Sequence, residues 1–102
     1  MILNQPALKK TILSDLQGAW QCLRREVADN PGFDGWDRTL FHIDEAMSWE
    51  SVRDLKIMKS TFILVQNIAL QSEAPEEVID WIDDVRESID AAFEAIAEGK
   101  AK

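Results

Sequence analysis

The sequence predicts an all-α protein, a small antiparallel bundle of three long helices and one short one. Three observations lead there. Apolar residues recur at steps of three and four along most of the chain, no segment alternates with the period of two expected of a strand, and the interruptions are short and rich in Asn, Pro, Gly and Ser. At 102 residues and 46% hydrophobic content, the chain reads as one domain, 1–102, able to bury a core of its own.

The first helix is expected from Pro6 to Asp29. Pro6 suits a first-turn position, and Leu8, Ile12, Leu13, Leu16, Ala19, Trp20, Leu23 and Val27 form its stripe. Asn30-Pro31-Gly32 stops it and Asp34-Gly35 marks a turn. A short second helix fits Trp36 to Met47, with Trp36, Leu40, Ile43 and Met47 on one side. Ser48 reads as the N-cap of a third helix, Trp49 to Gln71, with Ser51 and Asp54 as a competing cap.

The third helix carries two apolar stripes. One is Leu55, Met58, Phe62, Val65 and Ala69, and the other is Ile57, Thr61, Leu64 and Ile68. A helix apolar around most of its circumference is expected to be the centre of the bundle or the core of an oligomer. Gly18, Gln21 and Cys22 make a flat patch of small residues on the outer side of the first helix. Gly18, Cys22, Ile57, Leu64 and Ile68 are therefore the candidate self-association residues, and a homodimer is expected.

The fourth helix begins after Ser72-Glu73-Ala74-Pro75 and ends at Gly99, a C′ glycine. Val78, Ile82, Val85, Ile89, Ala92 and Ile96 form its seam. Its other side is acidic. The net charge of −8 is concentrated here: residues 1–72 hold nine acids and eight bases, whereas 73–98 hold ten acids against Arg86 alone. Several acids stand four apart, as in Glu76/Asp80, Asp80/Asp84, Asp83/Glu87 and Asp90/Glu94. Each such like-charged pair costs a few tenths of a kcal/mol that a Lys or Arg would have relieved.

That pattern makes Glu76, Glu77, Asp80, Asp83, Asp84, Glu87, Asp90 and Glu94 the candidate partner-binding residues. A basic protein partner is expected, because complementary fields steer association. Direct nucleic-acid binding is not, because phosphate contact needs clustered Lys and Arg. The bland alternative is a solubilising surface.

The sequence carries no recognisable catalytic or metal-binding constellation. His42 and Glu45 have the Glu-x-x-His type of spacing, but the chain has one histidine and the pair lies opposite Leu40 and Met47, so no metal is expected. Cys22, the single cysteine, lacks a base placed by spacing, and no glycine-rich or nucleophile-elbow motif occurs, so neither an enzyme nor a cofactor is expected. Trp20 reads as core and Trp81 as a half-exposed shoulder of the fourth helix, while Phe33, Trp36 and Trp49 sit at helix ends. No segment is long and apolar enough to span a bilayer and the start lacks a secretory pattern, so a cytoplasmic location is expected.

In size, acidity and helical content the chain is similar to small bacterial or phage inhibitor proteins, such as immunity proteins, antitoxins and anti-CRISPR proteins. The similarity is compositional and covers no motif. It implies an inhibitor or regulator, with nucleic-acid mimicry as one mode. The alternative is a self-associating structural or adaptor bundle.

Overall fold

The structure, a computed structural model, describes residues 12–99. The described residues form four helices: α1 (Ile12–Ala28), α2 (Trp36–Ser51), α3 (Leu55–Gln71) and α4 (Glu76–Ala97). None of the described residues is in a strand. The expected start of α1 at Pro6 lies outside the described residues.

The helices run alternately up and down in a ring. Val27 meets Trp36 and Arg24 meets Asp44, so α1 and α2 are antiparallel. Gly35, just before α2, touches Ile68 and Ser72 at the end of α3. Lys59, early in α3, sits 5.0 Å over the ring of Phe93, late in α4. α1 packs most closely on α4, and α2 on α3.

The two pairs are joined across the middle by Trp20 of α1. It is 1% exposed, its indole N–H donates to Met58 Sδ at 3.2 Å, and its ring meets Phe62 edge-on at 5.9 Å. Leu16, Leu23, Val27, Ile43, Val65, Ile82, Val85 and Ile89 complete the core around it. Burying one large apolar side chain of this kind stabilises by about 1.5–3 kcal/mol.

The break between α2 and α3 corrects the expected one. Ser48 is not a cap; α2 runs through it to Ser51, giving 16 residues. The chain turns at Arg53, whose φ is 64°, and Asp54 caps α3 by accepting from the Ile57 amide at 3.3 Å. The buried stripe of α2 is Thr39, Ile43, Ala46 and Glu50, rotated from the expected one; Trp36, Leu40 and Met47 are only half-buried. Glu50 continues the helical spacing, but a carboxylate is a poor sign of a core position, so residue type alone ends the stripe at Met47.

α3 also differs from expectation. Its first stripe is buried, but of the second only Thr61 is; Ile68 is half-buried, and Ile57 and Leu64 are exposed. α4 keeps its seam as far as Ala92, then continues through Ala95, leaving Ile96 exposed. Ser72 closes the end of α3, its hydroxyl donating to the Ile68 carbonyl at 2.6 Å. Gly99 follows α4 with φ 76°, the left-handed position that favours glycine.

Candidate functional site

Packing the α4 seam against α1 turns the other side of α4 to solvent. Glu76, Glu77, Asp80, Asp84, Glu87, Asp90 and Glu94 are exposed, and Asp83 is half-buried. The side chain of Arg86 lies 3.4 Å from Asp83. Eight carboxylates and one cation on a single helix leave a continuous anionic ridge. Glu76 and Glu77 also complement the positive end of the α4 dipole, so the ridge is least costly at its start.

Along the ridge runs a groove of about 500 Å³ between α1 and α4. Most of its lining is small: Ser14, Gly18, Ala19 and Cys22 from α1 and Ser88 and Ala91 from α4, with Ile12 and Asp15 at the α1 side as well. Trp81 stands at its edge, and Asp84 and Glu87 of the ridge form one wall. Nothing lies within 4 Å of where a Cβ at Gly18 would be, so the groove is open at that position.

Gly18 and Cys22, expected on an outer face, are thus half-buried beside α4. They do not share a surface with Ile57, Leu64 and Ile68, which lie on α3, so the five candidate self-association residues divide between two places. Trp81 takes the half-buried position expected of it, and Trp36 is held at the α1–α2 turn by donating to the Val27 carbonyl at 2.6 Å.

Neither a protein-family model, nor a curated protein, nor a solved structure matches this chain.

Other polar groups sort into local roles. His42 Nδ1 lies 2.9 Å from Glu45 Oε1 within α2, which closes the i, i+3 pair on itself. No group of three or more metal-ligating side chains occurs among the described residues. Asp44 raises the pKa of Arg24 above its usual value, through a hydrogen bond first and Coulomb attraction second. No described helix is long and apolar enough to cross a membrane.

Sequence reasoning missed Glu50. It is 3% exposed, with Arg53 Nη1 3.0 Å from Oε2. Burial pushes its pKa above the ordinary carboxylate range, and Arg53 opposes that shift. The last turn of α2 holds no basic residue, so the carboxylate faces the negative end of the helix dipole there. The available signal was its spacing from Ile43 and Ala46, seven and four residues earlier.

Proposed function

We propose that this chain is a small acidic protein–protein interaction module, an inhibitor or regulator that docks a basic protein through α4. One observation carries the reading: the acids of α4 form an exposed ridge beside a groove lined mostly by small residues and edged by Trp81. The ridge supplies long-range attraction for Lys and Arg. The groove and Trp81 supply a place for an apolar or cationic side chain of the partner, since tryptophans at interfaces anchor both kinds. Against a nucleic-acid-binding partner, the ridge would occupy the basic surface that otherwise meets phosphate. In this reading the chain acts by occupying a surface in the cytoplasm, without catalysis, cofactor or metal, and does not itself bind nucleic acid.

The test replaces Asp80, Asp83 and Asp84 with Asn and Glu87 with Gln, in the middle of the ridge. Affinity capture from the native host supplies the basic partner, and its association is then measured for parent and variant at low and physiological salt. The expected result is a folded variant with a reduced on-rate and a flatter salt dependence. Unchanged affinity and salt slope would leave the ridge as a solubilising surface.

A further inference from the structure

Among the described residues, four of the seven exposed large hydrophobics lie on α3: Ile57, Ile63, Leu64 and Leu70. Leu64 is 47% exposed, so each is a side chain left half in water rather than a shielded edge. At about 100° per residue they flank a central line of Ser60 and Asn67, which are also exposed. The face reads the same in both directions. About the midpoint between Ile63 and Leu64, Ile57 mirrors Leu70 and Ser60 mirrors Asn67. A two-fold contact requires a surface that complements itself when reversed.

Charge selects the direction. Lys56 is exposed at the start of this face and Gln71 at its end, and the two are mirror positions about the same midpoint. A parallel second helix would set Lys56 against Lys56. An antiparallel one, turned about the midpoint of Ile63 and Leu64, sets Lys56 opposite the uncharged and exposed Gln71 at both ends of the contact. Lys59 does not interfere, because it is turned toward α4 over Phe93.

We infer that α3 pairs with the α3 of a second copy of this chain, antiparallel about a two-fold axis near Leu64. Ser60 and Asn67 at the centre let the helices approach and hydrogen-bond. The apolar residues on both sides leave water, which drives the association. This contact goes beyond the basic-partner reading and does not depend on it, because the α4 ridge and the α1–α4 groove stay outside it.

Sedimentation equilibrium of the full chain, from low to high micromolar concentration, tests the proposal. The parent should dimerise. Leu64→Lys should be monomeric over the same range with an unchanged far-UV circular dichroism spectrum, and Ile63→Lys provides a second variant at the axis should the first misfold. Gln71→Glu sets a carboxylate opposite Lys56 in the antiparallel contact, but opposite its own copy in a parallel one, and should tighten dimerisation about three- to tenfold, whereas Gln71→Lys should weaken it. A monomeric parent overturns the proposal and leaves this face to a different protein. So does a dimer that survives Leu64→Lys and Ile63→Lys. A Gln71→Glu variant that dimerises no more tightly than the parent overturns the antiparallel arrangement. Neutralising Asp80, Asp83, Asp84 and Glu87 should leave dimerisation intact, which separates this contact from the proposed function.

Discussion

α3 and α4 bury similar stripes and present opposite chemistry to water. α4 buries Val78, Ile82, Val85, Ile89, Ala92 and Ala95 and turns a row of carboxylates outward. α3 buries Leu55, Met58, Phe62, Val65 and Ala69, carries no acid between Leu55 and Gln71, and turns Ile57, Ile63, Leu64 and Leu70 outward. The same asymmetry extends to their partners. Of the exposed large hydrophobics among the described residues, only Ile96 lies on α4, and the rest belong to α2, α3 and the turn between them. Burial of one stripe therefore does not decide what the other side of a helix carries. The α1–α4 half carries the anionic surface, whereas the α2–α3 half, with the turn joining its helices, carries six of the seven exposed large hydrophobics among the described residues.

The largest effect should come from cutting the link between the halves. Trp20→Ala removes the contacts to Met58 and Phe62 and leaves a cavity, and should cost about 3–5 kcal/mol in urea unfolding. A loss below about 1 kcal/mol would mean that the halves hold together without the tryptophan.

The two helical pairs should respond in opposite directions to a single methyl. A Cβ at Gly35 would stand 2.7 Å from Ile68 Cγ2 and 2.8 Å from Ser72 Oγ, so Gly35→Ala should cost about 1–3 kcal/mol. Gly18 is mid-helix with open space at its Cβ, so Gly18→Ala should stabilise by up to about 1 kcal/mol. Equal effects in thermal denaturation would show that α2 and α3 do not pack more tightly there than α1 and α4.

The pH dependence separates a buried acid in one half from exposed acids in the other. Burial raises the folded-state pKa of Glu50 above its unfolded value, so the folded protein holds this proton more firmly. Its contribution to stability is fully present below the unfolded pKa and is lost as pH rises through the folded one. Glu50→Gln removes that titration. Relative to the parent, the variant should gain stability as pH rises out of the usual carboxylate range, seen as unfolding midpoints that diverge with rising pH. Parallel curves would mean that Arg53 compensates the burial in full.

The smallest effect belongs to the ridge. Neutralising Asp80, Asp83, Asp84 and Glu87 relieves like-charge neighbours and should change stability by only a few tenths of a kcal/mol, toward greater stability. A large loss in chemical unfolding would show that these acids hold the bundle together, so that the two outward faces would no longer be comparable surfaces.

Much of this was legible in the chain itself. The four periodic runs, the seam from Val78 to Ala92, the burial of Trp20, the glycine ending α4 and the separation of acids from apolar residues all follow from residue type and a repeat near 3.6, which each helix carries within itself. The break at Arg53 was not legible, because its cap competed with Ser48 and because a buried Glu50 hides the end of a stripe. The exposure of Ile57 and Leu64, the closeness of Gly35 to Ile68, and the groove joining Gly18 and Trp81 were decided only when four helices closed into a ring. A repeat tells which residues share a face. Which face is covered depends on where the neighbouring helices lie, and that is set by contacts such as Trp20 with Met58, residues far apart in the chain and close only in the fold.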